Sequence, residues 1–173
     1  MSNQDNLILK SIEDTFRREK VINLRQGNTS LYYYNNEIFR NKVNKLKTKL
    51  KTDLWLSLRY RNTIKNINCL SNTIKLDISQ CKKILDIGCL QCLHTLAIHE
   101  ENNIKDVGHL RKLKVLVING QMDVEGIHLL KNLDQLIIQE YYSEKTKKRI
   151  KKLKQINKNV EIVNLNMDVI ECH

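Results

Sequence analysis

The sequence predicts an α/β solenoid: a short parallel sheet built from repeats, closed by a helical N-terminal cap and a helix-strand C-terminal cap. Three observations carry that reading. Apolar residues recur every 20 residues through four successive units. Inside each unit they step first by two and then by three. On both flanks the period disappears and the apolar residues take the spacing of amphipathic helices.

The register is clearest from Leu93, where apolar residues fall at Leu93, Leu96, Ile98, Ile104, Val107 and Leu110. Twenty residues on stand Leu113, Leu116, Ile118, Val124, Ile127 and Leu130, and twenty back stand Thr73, Leu76, Ile78, Ile84, Ile87 and Leu90. The unit before that reads Asp53, Leu56, Leu58, Ile64, Ile67 and Leu70. A fifth opens with Leu133, Leu136 and Ile138, then loses the pattern at Tyr141 and Glu144. Only Asp53 and Thr73 depart from four full units, and a fixed period of this length is the signature of a solenoid. The i, i+2 pair places two side chains on one face of a short strand. The three-residue steps suit a 3₁₀-like turn, in which i and i+3 eclipse. Neither piece alone buries its apolar side; units stacked at roughly 4.8 Å share one core. Gly88, Gly108, Gly120 and Gly126 fall in the connecting turns, where positive φ or close packing is expected. Asp86 and Asp106 share a column with Asn66 and Gly126, which suits acceptance of backbone N–H bonds in a turn better than acid-base chemistry.

The pattern L-x-x-L-x-L followed by I-x-D-V-x-x-L, best seen in QCLHTLAIHEENNIKDVGHLRK, resembles the leucine-rich repeat over residues 53 to about 140. The I-x-D-[IV] half is similar to the short repeats of bacterial internalins, and the strict 20-residue unit is similar to repeats in proteins of large amoeba-infecting viruses. The resemblance implies a leucine-rich-repeat solenoid. Such repeats usually carry Asn or Cys at the ninth position to bond backbone inside the turn. Here that column reads Arg61, Cys81, Glu101 and Gln121, and only Cys81 conforms.

Three segments follow: a cap over 1–52, repeats over 53–142 and a second cap over 143–173. Residues 6 to 19 are expected to form an amphipathic helix through Leu7, Leu9, Ile12 and Phe16. Residues 36 to 51 are expected to form another, with Ile38, Phe39, Val43, Leu46 and Leu50 on one side. The stretch VINLRQGNTSLYYYNNEIFRNKVN resembles the second half of an F-box. That helical module often precedes leucine-rich repeats in adaptors that recruit substrates to ubiquitin ligases. The plainer reading is a cap on the first repeat. In the C-terminal cap Ser143 is placed to N-cap a helix over 144 to 157, with Ile150, Leu153 and Ile156 inward. Val160, Ile162 and Val163 then offer a last strand that protects the sheet edge.

Composition narrows the function classes. At 173 residues and 41% hydrophobic content the chain suits one domain with its caps. No run of about 18 apolar residues suggests a membrane span, and MSNQDNLILK lacks the pattern of a secretory signal. Five cysteines, an odd number, point to free thiols in a reducing compartment, hence an intracellular protein, cytoplasmic or nuclear. The net charge of +11 divides as +6 over 1–52, +1 over 53–142 and +4 over 143–173. The caps therefore hold it, above all KTKKRIKKLK, while the repeats are nearly neutral. A basic helix of this kind can touch phosphates without reading sequence. No aromatic ladder or nucleic-acid motif accompanies it, so a solvated cap helix is the simpler reading.

Catalytic signatures are missing from the sequence: it has no Gly-rich phosphate loop, no H-E-x-x-H and no nucleophile elbow, so no enzyme activity is expected. Cys89 and Cys92 form a C-x-x-C, and the register stacks Cys69, Cys89 and His109 beside Cys92, at spacings compatible with zinc. That column continues as Leu129, however, which suits a packing position; no metal or cofactor is expected. His94, His99 and His128 read as surface or turn residues.

Strand residues that alternate with the core pair must face outward. The column between the core positions reads Ser57, Asp77, Ala97, Val117 and Ile137, growing apolar towards the C-terminus, with Val115 beside Val117. His99, Asn119 and Gln139 flank it on one side, Thr95 and Gln135 on the other. An apolar centre rimmed by neutral polar groups is what a protein-binding patch looks like. Two plainer readings compete: the C-terminal cap folds over these residues, or they only favour strand formation. The expectation is a non-enzymatic scaffold that binds a protein through the concave face of its repeats, with a ubiquitin-ligase adaptor as its specialised form. The alternative is a basic RNA- or phosphate-binding accessory protein that uses the Lys-rich caps. Partner identity and oligomeric state are not legible.

Overall fold

The computed structural model describes residues 3–25, 28–99, 102–119, 121–140 and 143–165. Gly120, Glu101, Tyr141 and the end of the C-terminal cap, 166–173, lie outside them. Elements run in the order α1 (Asn3–Glu19), β1 (Ile22–Asn23), α2 (Thr29–Asn35), α3 (Glu37–Leu50), β2 (Leu54–Ser57), β3 (Lys75–Asp77), β4 (Thr95–Ala97), β5 (Val115–Asn119), β6 (Gln135–Gln139), α4 (Glu144–Ile156) and β7 (Glu161–Asn164). Among the described residues the strands form one seven-stranded sheet in sequence order, every neighbouring pair parallel. The chain is thus a parallel-strand solenoid with helices at both ends.

Register follows the repeat. Leu56, Leu76, Leu96, Leu116 and Leu136 are Cα partners across successive strands and all are buried. The three-residue steps are hydrogen-bonded turns, as eclipsed i, i+3 positions require. Leu70, Leu90, Leu110 and Leu130 each donate their N–H to the carbonyl three residues back, at 2.8 to 3.1 Å. Thr73, Leu93, Leu113 and Leu133 repeat the bond one step later, at 2.9 to 3.1 Å. The column of Asn66, Asp86 and Asp106 does what the turn reading expects. Each side-chain oxygen accepts the N–H two residues on, at 2.7 to 2.9 Å. Gly126 closes that column because backbone passes too near for a side chain: a Cβ there would lie 2.1 Å from Asp106 Oδ1 and 2.4 Å from Gly108 N, at φ +75°. It alone among the described glycines has positive φ; Gly108 is instead a case of close packing, where a Cβ would lie 3.0 Å from the Gly126 Cα.

The turn leaving each strand slides along the solenoid. After β2 and β3 it closes through Arg61 N to Leu58 O (3.2 Å) and Cys81 N to Ile78 O (3.1 Å), with Tyr60 and Gln80 at φ of 63° and 60°. After β4 and β5 it closes one residue later, through Asn102 N to His99 O (2.8 Å) and Met122 N to Asn119 O (3.1 Å). The inward residue slides with it. Cys81 directs its thiol to Leu58 O at 2.8 Å. Buried Asn102 donates to Ile78 O at 2.9 Å and Cys81 O at 3.2 Å, while its Oδ1 accepts His99 N at 2.7 Å. After β4 the side chain that bonds backbone thus sits one place beyond the ninth position, at Asn102, while after β5 the same place holds the buried Met122.

Both ends are closed. In the N-terminal cap Ile22, Leu24, Tyr33, Phe39 and Val43 join the core, and Tyr32 stacks on Phe39 with centroids 4.8 Å apart. Ser30 Oγ donates to Leu24 O (2.7 Å) and accepts Ser57 N (2.9 Å), tying α2 to the first strands. Tyr34 Oη bonds Asn66 O at 2.7 Å. Two elements here were not expected, the two-residue strand β1 and the short helix α2. At the other end Ser143 Oγ accepts Thr146 N at 3.2 Å, as a cap should, and β7 pairs with β6 over Gln135–Ile138.

Three expected helix faces need correction. Leu7, Ile38 and Ile156 are 69%, 68% and 50% exposed. On α1 the inward stripe runs through Ile8 and Ile12, four residues apart, which turns Leu7 outward. On α3 it runs Phe39–Val43–Leu46, leaving Ile38 a step off the stripe. On α4 it runs Thr146–Ile150–Leu153, and Ile156 is the helix's last residue, beyond the surface it packs on.

Truncating Leu116, fully buried between neighbours on both sides, opens a cavity in a narrow core, so Leu116→Ala is expected to cost roughly 2 to 5 kcal/mol in denaturant unfolding. A loss under about 1 kcal/mol would contradict its place in the stack. Thr73, the polar exception in the Leu93 column, is fully buried and its hydroxyl has no hydrogen-bond partner among the described residues. Thr73→Val keeps the shape and removes the unpaired hydroxyl; a gain of about 1 kcal/mol is expected by the same assay.

Candidate binding face

Alternation along the strands sorts every side chain. In β4, β5 and β6 the central Leu96, Leu116, Ile118, Leu136 and Ile138 are buried, while Thr95, Ala97, Val115, Val117, Gln135, Ile137 and Gln139 are partly exposed. Strand pairing lines them into rows: Thr95, Val115 and Gln135 in one, Ala97, Val117 and Ile137 in the next, Asn119 opposite Gln139 in a third. With strands about 4.8 Å apart, the three side chains of a row are in van der Waals reach of their neighbours.

Two of the expected rim residues behave differently. Asn119 is fully buried; its Oδ1 accepts Gln121 N at 2.9 Å and its amide lies 3.5 Å from His99 Nε2. It is a turn-holding residue, a consequence of the slide that carries the turn one residue beyond β5. His99 stays partly exposed, with its backbone N–H held by Asn102 and its Nδ1 buried without a partner among the described residues.

The face extends further N-terminally than the apolar column suggested. A groove of about 360 Å³ is lined by Arg25, Trp55, Lys75, Asp77, Thr95, Ala97 and Val115. Lys75 Nζ lies 4.0 Å and Arg25 Cζ 4.6 Å from the Trp55 ring centroid, both in cation–π range. Asp77 is occupied: Oδ1 accepts Ser79 N at 3.0 Å and Oδ2 faces Arg59 Nε at 3.4 Å. The register that found Thr95 and Val115 also places Trp55 and Lys75 in their column, so these two were findable. Arg25 was not, because it follows β1, a strand outside the repeat.

Elsewhere, α4 packs against the turn at Ile127–Leu129 rather than over the strands. Thr146 Oγ1 reaches Met122 O at 3.4 Å, and Lys145 and Arg149 both bind Asp123, whose carboxyl is thereby held below its usual range. Cys89 Sγ points at Ile67 O (3.6 Å) and His109 Nε2 at Ile87 O (3.4 Å), each one unit back at the head of the turn. Burial pushes the Cys69, Cys81 and Cys89 thiols up, so the thiolates a metal needs are disfavoured. Among the described residues no three His, Cys, Asp or Glu side chains are grouped to hold a metal ion, and no helix is long and apolar enough to cross a membrane.

Comparison with known protein families, curated proteins and solved structures finds no match to this chain.

The cysteine geometry yields a test. Protein purified from zinc-supplemented medium is expected to carry no stoichiometric zinc by elemental analysis, and a strong chelator should leave its melting temperature unchanged. One zinc per chain, lost with stability in Cys89→Ser, would overturn the packing role.

Proposed function

We propose that this chain is a leucine-rich-repeat protein acting as a non-enzymatic, intracellular scaffold that holds a protein partner on the outer face of its sheet. The observation that carries the proposal is the row Ala97, Val117 and Ile137, apolar, partly exposed and covered by no element among the described residues. A solvated sheet face has no need of such a row, whereas an interface core does. The competing idea, a C-terminal cap lying over these residues, is disfavoured by the course of α4 and by β7, which prolongs the sheet instead of crossing it. The leucine-rich-repeat assignment draws support from Cys81 and Asn102, which bond backbone inside the turn as Cys or Asn does in that family. An adaptor role would require a second surface, for which exposed Leu7 and Ile38 on the N-terminal cap are the candidates.

A second reading rests on α4, where Lys148, Lys151, Lys152 and Lys154 are exposed, a charge pattern suited to RNA or phosphate. Salt separates the two. Purification from the native host is expected to recover a defined protein at low and at high salt; nuclease-sensitive recovery that fails at high salt would favour the basic helix. Val117→Asp is expected to abolish capture of that protein while moving the thermal midpoint by no more than about 2 °C, as at other surface positions. Unchanged capture by a folded Val117→Asp protein would remove the sheet face from the mechanism.

A further inference from the structure

The groove at the N-terminal end of the same face holds an unusual charge arrangement. Lys75 and Arg25 reach Trp55 from the strand on one side and the segment after β1 on the other, so two cations share one ring. Neither is bonded to a carboxylate among the described residues; Arg25 Nε instead finds the neutral Asn23 Oδ1 at 3.1 Å. Elsewhere on the repeats and on α4 some cations do meet carboxylates: Lys114 meets Asp134 at 3.0 Å, Arg59 faces Asp77, and Lys145 and Arg149 share Asp123. The one acid in the groove, Asp77, is already committed. Two cations pinned on an aromatic platform, with no acid of their own, are complementary to an anion brought from outside. Two strands further on the surface becomes Val115 and Val117, roughly 10 Å from Lys75 at the ordinary strand spacing.

We infer that the Arg25–Trp55–Lys75 cluster is a carboxylate-binding subsite, and that the partner segment presents an Asp or Glu side chain about 10 Å from an apolar anchor seated on Val115 and Val117. The inference rests on the protein-binding reading above and adds the partner's chemistry. Trp55 orients both cations, so the subsite is built before the partner arrives. The apolar row supplies the anchor, and the cations select which apolar segment may sit there. Two turns of helix span the required separation, so an acidic residue seven positions from a Leu on one helical face would satisfy both contacts.

Trp55 is the chain's single tryptophan and so reports on the subsite directly. The probe is a set of capped peptides, each with one Leu and one Glu at separations of three to eight residues, and matched sets with Gln or Lys for Glu. Titrations follow Trp55 fluorescence at low ionic strength. Saturable binding of Glu peptides, at least tenfold tighter than their Gln counterparts, is expected, with the preference passing to the Lys peptides in the double variant R25E/K75E. Val117→Asp should weaken every peptide while leaving the protein folded. Equal binding of Glu and Gln peptides, with Val117→Asp still damaging, would overturn the carboxylate subsite and leave the sheet-face reading intact. Binding indifferent to Val117→Asp would overturn both. No binding of any peptide at millimolar concentration would overturn the subsite, while capture of the native partner by Val117→Asp judges the sheet-face reading separately. An oligouridylate that binds more tightly than the Glu peptides, and loses its affinity in R25E/K75E, would reassign the cations to nucleic acid and overturn the inference.

Discussion

No unit of this chain can bury its own apolar side. A strand of three to five residues and a turn of 3₁₀ character make a half-covered wedge, and only the next wedge completes it. Everything else follows from that dependence. The register must repeat without slippage, because a one-residue shift would send Leu96 or Leu116 outward and Ala97 or Val117 inward. Several polar groups of the turns bond to the unit before them: Asn102 reaches back to Ile78 and Cys81, Cys89 to Ile67, His109 to Ile87. Cohesion between units is thus both apolar and hydrogen-bonded, and it runs along one axis.

A stack of this kind has two raw ends, and the caps answer them by different means. The N-terminal cap brings a strand of two residues and three helices, with Tyr33, Phe39 and Val43 plugging the first unit's core. The C-terminal cap swaps the ascending turn of a fifth unit for α4, whose Thr146, Ile150 and Leu153 seal the last wedge while its other faces carry lysine. Strong positive charge at the ends and near neutrality along the repeats keep both ends solvated and unattractive to one another, which hinders end-to-end stacking of separate chains.

Much of this was legible in the sequence because periodicity is a physical requirement of the stack. The columns of Leu96, Ile98 and Val107 could be read as core, and Val117 as outward, from spacing alone. The helix faces were less legible: Leu7, Ile38 and Ile156 are apolar residues just off a stripe or at a helix end, where composition does not reveal how far the packing surface extends. Local length hid β1 and α2, since two residues of strand and seven of helix leave no period to find. At the candidate site, Trp55 and Lys75 are fixed by the same register as Thr95 and Val115, but their role lies in charge and ring contact, which apolar periodicity does not display. Asn119 lies in the column expected at the rim yet is buried, because the slide of the turn leaves no trace in a spacing that stays at 20.

That slide has a consequence for how such a surface can be remodelled. The turn closes on Leu58 and Ile78 in two units and on His99 and Asn119 in the next two, yet the strands and the 3₁₀ corners remain in step. The loop between strand and first corner therefore works as slack, taking up a residue without passing the displacement to the core. Residues at the lip of the sheet can change identity, reach and direction while the buried columns stay untouched. The lip can drift quickly over a stack that itself cannot.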